Sequence, residues 1–238
     1  MAIDESIVTA IHKGDATPTL RFYRWKPSAV SIGTFQGMKE EVDIEYCKQQ
    51  GIDPVRRITG GGAVYHDYNG EITYSIIIPQ SHNLVPHDIL ESYSIICDGI
   101  IRGLKNLNIE AQFVPINDIA VGGKKVSGNA QTRRQGCLLQ HGTILLDLDV
   151  REMFRILKVP QEKISDKMIK DVTQRVTSLK HILGRKIEFE EVSKALQRGF
   201  SDALAIELIS GSLSGEEMKI ARKLAKEKYS TDEWNFSR

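Results

Sequence analysis

The chain has 238 residues, of which 41% are hydrophobic, and carries a formal net charge of +1. This length suits one large α/β domain, or one domain with a small helical appendage, and the near-neutral charge argues against a nucleic-acid ligand. Three cysteines without framework spacing are typical of a reducing compartment, the N-terminus is unlike a signal peptide, and no apolar run approaches the roughly 20 residues of a spanning helix. We therefore expect a cytoplasmic protein with neither a nucleic-acid nor a membrane partner.

The first half of the chain predicts strands interleaved with helices. Gly51 ends the second helix, and Tyr68-Asn69-Gly70 is a turn signal between two apolar runs, which predicts a hairpin there. The predicted helices cover residues 2–13 and 41–50, and the predicted strands cover residues 20–25, 29–33, 63–66 and 72–78.

The second half begins with a long helix over residues 86–106, whose apolar positions recur every three or four residues and mark a core-facing stripe. A Gly-Gly turn at residues 122–123 predicts a second hairpin. After residue 149 the pattern is mostly helical, with helices over 191–203 and 215–229. Strands that come first with helices that flank or follow them favour an α+β fold.

The segment Arg56–Asp67, with sequence RRITGGGAVYHD, joins two arginines to three glycines. Glycine allows the backbone to lie against a ligand, successive free N–H groups form an anion site, and arginine adds a charged fork. The segment therefore predicts a site for a phosphate or a carboxylate. By itself such a segment is more often a tight turn beside surface arginines, and the second basic, glycine-bounded segment downstream shifts the interpretation towards a site.

Two further segments carry candidate site residues. In NDIAVGGKKVSGNA, Lys124 and Lys125 alternate along a strand, so only one of them can face a shared pocket, where an ammonium suits a reacting carboxylate or phosphate. In QHGTILL, His141 precedes an apolar strand and either lines a pocket or is a hydrogen-bonded core residue. A surface hairpin with solvated lysines remains open, and the histidine spacing indicates no metal site.

In this order the three segments resemble the lipoate–protein ligase family. The resemblance extends to Leu20–Trp25, Val30–Gln36 and the C-terminal segment Lys228–Asn235, and so covers nearly the whole chain. It implies a biotin/lipoate ligase-type catalytic domain, a mixed β-sheet wrapped by helices with the pocket on the sheet face. We expect a single domain over residues 1–238, mostly helical over about 150–238, in a form without the C-terminal accessory domain.

The activity that this resemblance implies is ATP-dependent. Such a ligase activates lipoate with ATP and Mg²⁺ to lipoyl-AMP and passes the lipoyl group to a lysine of a carrier domain. The expected carriers are the H protein of glycine cleavage or a 2-oxoacid dehydrogenase domain. The chain either works alone or needs a separate accessory protein as a further partner, and both alternatives remain open.

The resemblance also implies roles for individual residues. Lys125 is the expected catalytic residue, holding the lipoyl carbonyl and the adenylate phosphate, with Mg²⁺ near Asp118. The nucleotide and lipoyl-AMP are expected at Arg57, Gly61, Gly62, Ala63, Val64, Tyr65 and Lys125. Lipoate is expected at Gly62, Val64, Ile72, Tyr74, Lys125, Gly128 and His141.

Alternatives from the same fold remain open. One is an ATP-independent octanoyltransferase or lipoyl amidotransferase, in which a cysteine thiolate takes the acyl group. Against it stand a glycine run without an arginine and a hairpin without a preceding cysteine; Cys47 and Cys97 are expected to be structural, and Cys137 lies away from the expected nucleophile position. Another is a lipoyl-AMP-binding transferase subunit that needs a separate accessory protein. The hairpin and glycine segments argue against a biotin ligase.

Overall fold

The computed structural model describes residues 1–158 and 166–238. Its strands are β1 Thr19–Tyr23, β2 Ala29–Ile32, β3 Asp53–Arg56, β4 Val64–His66, β5 Glu71–Pro79, β6 Gln112–Val114, β7 Asp118–Val121, β8 Lys124–Arg134 and β9 Cys137–Leu145. Its helices are α1 Ala2–Lys13, α2 Met38–Glu41, α3 Ile44–Gln50, α4 Ile89–Lys105, α5 Val150–Ile156, α6 Asp166–Arg175, α7 Leu179–Leu183, α8 Phe189–Leu204, α9 Gly215–Leu224 and α10 Asp232–Asn235. A π-helical turn, Ala225–Tyr229, continues α9.

The strands form two sheets. The larger is antiparallel throughout in the order β1-β5-β9-β8-β7-β6, and the smaller has the order β3-β2-β4, with β2 parallel to β3 and antiparallel to β4. The α+β prediction is confirmed. Within the described ranges, no helix combines the length and apolarity needed to cross a membrane.

The six-stranded sheet is covered on both faces. On one face α4 and α8 pack against each other and against the sheet in the largest apolar cluster, which includes Ile72, Tyr74, Ile100 and Phe200. On the other face α1 covers part of β5 and β9, and the small sheet lies beside it. Strand β5 is buried along nearly its whole length, with Glu71, Thr73 and Ser75 on one face and Ile72, Tyr74 and Ile76 on the other.

The predicted hairpin of residues 63–66 and 72–78 is wrong. Both strands exist, but β4 pairs with β2, aligning His66 with Ala29, while β5 pairs with β1 and β9. The turn at Tyr68-Asn69-Gly70 carries the chain from one sheet to the other. A strand buried on both faces needs partners along both edges, and two long strands from elsewhere in the chain satisfy β5 better than the three-residue β4.

The predicted helices are present with adjusted bounds. The helix expected over 41–50 is two short helices, since Asp43 accepts a hydrogen bond from the Tyr46 N–H and starts α3. The hairpin around residues 122–123 is confirmed, with an irregular register between β7 and β8 at Ile119/Ala120. Residues 159–165 of the predicted helical region 150–238 lie outside the described residues.

Candidate active site

A cavity of about 340 Å³ lies between the two sheets. Strands β2 and β4 form one wall, and the face of the large sheet that carries Thr73, Thr143 and Lys125 forms the other. The apolar part of the lining comes mainly from Val64, Ala130, Leu145, Leu148, Met153 and Val176. The arrangement is a mostly apolar slot with a small number of polar groups, as is usual for a small-molecule site.

The glycine loop is held by Arg57. Its NH1 group donates to the Ser31 carbonyl at 3.2 Å and to Ser31 Oγ at 3.3 Å, and its NH2 group donates to the carbonyls of Gly60 and Gly62, both at 2.8 Å. Gly61 has a φ of 98°, which an L side chain rarely adopts. Both terminal nitrogens of Arg57 therefore donate to the protein and hold the shape of the glycine loop.

Arg56 is also buried, with 1% of its surface exposed, and sequence reasoning missed its role. Its guanidinium donates to the carbonyls of Gly33, Thr34 and Gln36 and to those of Trp234 and Asn235. It thereby ties the C-terminal segment to the loop after β2.

Burial lowers the pKa of Arg57 to about 10, so the Arg57 side chain is still charged at neutral pH.

Lys125 lies at the exposed edge of the cavity on β8. Its Nζ is 2.7 Å from Asp118 Oδ1, and the two side chains are 43% and 33% exposed. A Cβ at Gly128 would lie 2.8 Å from Lys125 Nζ, so the absence of a side chain there allows Lys125 to lie across the strand. Lys124 lies on the other side of the strand, and its Nζ donates to the Thr173 carbonyl at 3.1 Å.

The carboxylate of Asp118 forms an ion pair with the ammonium of Lys125. Among the described residues no group of three or more His, Cys, Asp or Glu side chains could hold a metal ion. The Mg²⁺ position expected near Asp118 therefore has a single carboxylate, already paired with an ammonium.

His141 lines the cavity and bonds through Nε2 to Thr59 Oγ1 at 2.6 Å. Burial lowers the pKa of His141 to about 3, so its ring is neutral. Thr59 belongs to the glycine segment, and this contact links that segment to β9. The side chain is thus a hydrogen-bonded wall residue.

A chain of buried hydrogen bonds closes the cavity on the side of β5, and no sequence signal indicated it. His66 bonds through Nε2 to Ser31 Oγ and through Nδ1 to Glu71 Oε1, both at 2.8 Å. Thr73 Oγ1 donates to Glu71 at 2.7 Å and accepts from the Trp25 indole at 2.9 Å. The Trp25 ring stacks on His66 with centroids 4.4 Å apart, so this end wall is fixed on all sides.

Of the residues predicted for the acyl chain, Val64 lines the cavity but Ile72 and Tyr74 do not. Both lie on the opposite face of β5, in the core formed with α4 and α8, where the Tyr74 hydroxyl donates to Asn129 Oδ1 at 2.7 Å. Side chains alternate faces along a strand, so Thr73 faces the cavity while its two neighbours face away. The other residues proposed for the site that line the cavity are Arg57, Gly61, Gly62, Ala63, Tyr65, Lys125, Gly128 and His141.

All three cysteines of the chain lie within the described residues and outside the cavity lining. Cys47 and Cys97 are fully buried in separate apolar clusters, and burial raises their pKa values to about 11 and about 12. Cys137 is also buried, with its Sγ 3.8 Å from the Val8 carbonyl. None is positioned or ionised as a reactive thiol requires.

The sequence of the chain matches a known protein family and named relatives. The family model described as the lipoyl protein ligase A/B catalytic domain matches residues 1–201. The chain belongs to this family. The octanoyltransferase LipM of Brevibacillus brevis is 37% identical, with 100% of this chain and 94% of that protein covered, and the LipM of Geobacillus kaustophilus is 37% identical, with 100% and 93% covered.

A solved structure shares the fold. A bipartite lipoate protein ligase from Thermoplasma acidophilum, described with its E2 lipoyl domain, is 34% identical with a TM-score of 0.86, and the match covers 99% of this chain and 91% of that chain. The predicted family and its catalytic-domain fold are confirmed, and the chain is an enzyme of the lipoate ligase and transferase family.

The expectation of an ATP-dependent ligase is wrong. The curated relatives that match along the whole chain are named octanoyltransferases, and they support neither ATP with Mg²⁺ as cofactors nor lipoate as the substrate. Two sequence features had favoured the ligase over the octanoyltransferase: the glycine run has no arginine, and no cysteine precedes the hairpin. These features did not distinguish the two activities.

Proposed function

We propose that the protein is an octanoyltransferase, which moves an octanoyl group from a thioester donor to a lysine of a lipoyl carrier domain without ATP. The observation that carries the proposal is the shape of the cavity: an apolar slot closed by the His66–Trp25 wall and reached at its exposed edge by Lys125. The full-length similarity to proteins named octanoyltransferases supports it.

The slot suits a medium-chain acyl group. Thr73 on β5 aligns through Thr143 on β9 with Gly128 on β8, two strand spacings or roughly 10 Å across the sheet, and Lys125 lies three residues farther along β8. Burying a CH₂ group is favourable by about 0.8 kcal/mol, so the six additional methylenes of octanoyl favour it over acetyl by on the order of 5 kcal/mol. Since the far wall is rigid, chains much longer than octanoyl should be excluded.

Lys125 is the group proposed to act at the acyl carbonyl. Its ammonium donates to the oxygen that becomes negative as an amine adds to the carbonyl, and a donor is most effective when it is fixed before the reaction. Asp118 at 2.7 Å fixes its position. The acceptor is a lysine on a carrier domain, and the H protein of glycine cleavage and a 2-oxoacid dehydrogenase domain are the two carriers to compare.

The test is the intact mass of an unmodified carrier domain after incubation with this protein. One arm contains octanoyl-acyl carrier protein without ATP, and the second contains free octanoate or lipoate with Mg-ATP. Octanoylated carrier in the first arm is the expected result. Modification in the second arm alone would overturn the proposal.

A further inference from the structure

A second cavity, of about 750 Å³, lies beside the slot, and we call it the basic groove. It is bounded by the segment 147–150, the C-terminal half of α6, residues 176–178, α7 and residues 184–186. Leu148 and Val176 line both the groove and the slot, so the two cavities share a wall. A molecule bound in the groove is therefore immediately next to an acyl group in the slot.

The shared wall is joined to the strand that carries Lys125. The Thr177 N–H donates to the Lys125 carbonyl at 2.8 Å, and Val176 forms an isolated β-bridge with Lys125. At the same junction Lys124 Nζ donates to the Thr173 carbonyl, which fastens α6 to β8. The groove thus adjoins the residue proposed to act at the acyl carbonyl, and α6 is held in place beside it.

The groove concentrates positive charge, although the chain as a whole is nearly neutral. The whole chain has 32 Lys and Arg residues against 31 Asp and Glu residues. Among the described residues, the groove lining has four exposed cations and a single carboxylate, that of Asp147. The four cations are Lys170, Lys180, Arg185 and Lys186. The field in the groove therefore favours an anionic ligand.

The ion pairs of these cations leave them available to a partner. Three of the four form pairs in which both side chains are more than one-third exposed: Lys180 with Asp147, Arg185 with Glu191 and Lys186 with Glu188. Exposed pairs contribute little to stability, so carboxylates of a partner can replace these acidic groups at small cost. Because the cations lie on α6, on α7 and in the segment after α7, an acidic protein surface matches them better than one small anion does.

We propose that the basic groove docks the protein that carries the octanoyl thioester, through an acidic face of that protein. The inference rests on the proposed octanoyl transfer. While the octanoyl chain lies in the slot, the thioester still joins it to its carrier, so the body of the carrier rests where the slot meets the protein surface. The groove adjoins the slot at that place. The acceptor, by contrast, has to bring only one lysine side chain to the carbonyl.

The binding of octanoyl-acyl carrier protein to the wild-type protein tests the charge of this contact. Opposite charges across an interface mainly accelerate association, and salt screens them. The dissociation constant, measured by fluorescence anisotropy of a labelled carrier, should therefore rise between about 50 and 200 mM NaCl. A dissociation constant that does not depend on salt would overturn docking by charge.

The double variant Lys170→Glu/Lys186→Glu tests the position of the contact. Reversal of two charges at the groove should raise the dissociation constant for octanoyl-acyl carrier protein by roughly tenfold or more, because it slows association. The KM for this donor should rise with it, while kcat at saturating donor and the KM for the acceptor domain stay near the wild-type values. Both side chains are exposed, so the thermal unfolding midpoint should change little.

The chain offers a matched control in Lys219→Glu/Lys223→Glu. These two lysines lie on α9 outside the groove lining, in exposed pairs with Glu216 and Glu227. The control variant changes the charge of the protein by the same amount and should bind the donor as the wild type does. An equal loss of binding in both double variants would assign the effect to net charge and overturn the docking surface.

A donor without a protein separates docking from effects on the slot. With octanoyl-pantetheine, the groove variant should transfer the acyl group at the wild-type rate. A slower rate with this small thioester would show that the substitutions act on the slot and would contradict the inference. A higher KM for the acceptor domain alone would assign the groove to the acceptor and would also contradict it.

The outcomes for the groove and for the proposed function are distinguishable. Octanoyl transfer by the wild type, with unchanged donor binding by the folded groove variant, would overturn the docking surface alone. Donor binding that the groove variant weakens, without any octanoyl transfer, would reject the proposed function and keep the docking surface. Neither binding nor transfer by the wild type would reject both.

Discussion

Two basic, glycine-bounded regions of this protein have opposite environments. The glycine loop carries Arg56 and Arg57, both buried and donating to main-chain carbonyls. The hairpin carries Lys125, nearly half exposed and bonded to one carboxylate. A cation near glycines can therefore contact a ligand only where the backbone leaves its donors free. Arginine has five donors and can fasten several carbonyls, whereas an ammonium on a flexible stem can reach into a slot.

The largest expected effect is on the hairpin side of this comparison. Lys125→Ala should lower the octanoyl-transfer rate by at least about 10²–10³-fold, the usual effect of removing one donor to a developing oxyanion. The thermal unfolding midpoint should change little because Lys125 is partly exposed. Lys124→Ala is the matched control, since that side chain contacts Thr173 outside the cavity. A near-wild-type rate for Lys125→Ala would remove Lys125 from the reaction.

In the glycine loop, we expect loss of Arg57 to lower the free energy of unfolding. Arg57→Met removes the donor to the carbonyls of Ser31, Gly60 and Gly62, and each buried acceptor left without a partner costs about 1–3 kcal/mol, for a total of about 3–9 kcal/mol. Urea unfolding monitored by tryptophan fluorescence measures the change. Arg185→Met, at an exposed pair with Glu191, should leave the free energy of unfolding nearly unchanged, since exposed ion pairs contribute little. An Arg57→Met protein of unchanged stability would contradict the proposed contribution of the Arg57 hydrogen bonds to the stability of the loop.

The features that the sequence predicted correctly are local. The Gly-Gly turn and strand alternation placed Lys125 and Lys124 on opposite sides, and the apolar period located α1, α4 and α8. These patterns repeat within two to four residues, so they can be read without knowing what packs against them.

The features that escaped prediction depend on distant partners. Arg56 donates to Asn235, 179 residues away, and His66 bonds to Ser31 across two strands, so no spacing in the chain indicates either contact. The face of Ile72 and Tyr74 is an exception, because Glu71, Thr73 and Ser75 alternate with Ile72, Tyr74 and Ile76 along β5, and this alternation assigns the apolar side chains to the core. The sequence could therefore predict the direction of the β5 side chains and a lysine at the cavity, but not the hydrogen-bonded wall around His66.

His141, which joins the loop to β9 through Thr59, should make stability depend on pH. Its pKa is lowered to about 3 in the folded state, against about 6.5 when unfolded. Below pH 6.5 the unfolded chain takes up a proton that the folded protein excludes. The contribution of neutral His141 to the free energy of unfolding is therefore fully present above pH 6.5. It falls by about 1.4 kcal/mol per pH unit as the pH falls from 6.5 towards 3.

Urea unfolding at several pH values between 6.5 and 4.5 measures this dependence. His141→Gln keeps a hydrogen-bonding group near Thr59 but cannot titrate, so its unfolding free energy should fall less steeply than that of the wild type. His12→Gln, at an exposed position on α1, should keep the wild-type slope. Equal slopes for all three proteins would show that His141 is not held neutral.

The smallest expected effect tests how closely the hairpin positions its lysine. In Gly128→Ala the new Cβ would lie 2.8 Å from Lys125 Nζ, and the atom that must move is the end of a flexible side chain, so the free energy of unfolding should change by less than about 1 kcal/mol. The rate should nevertheless fall by roughly 10–100-fold, since a displacement of about 1 Å at a reacting group can cost that much. Gly211→Ala is the control, because a Cβ there would contact no other atom. A stable Gly128→Ala protein with full activity would show that Lys125 does not need its observed position over the strand. Arg57 would still hold the glycine loop, but the proposed dependence of the rate on the position of Lys125 would be wrong.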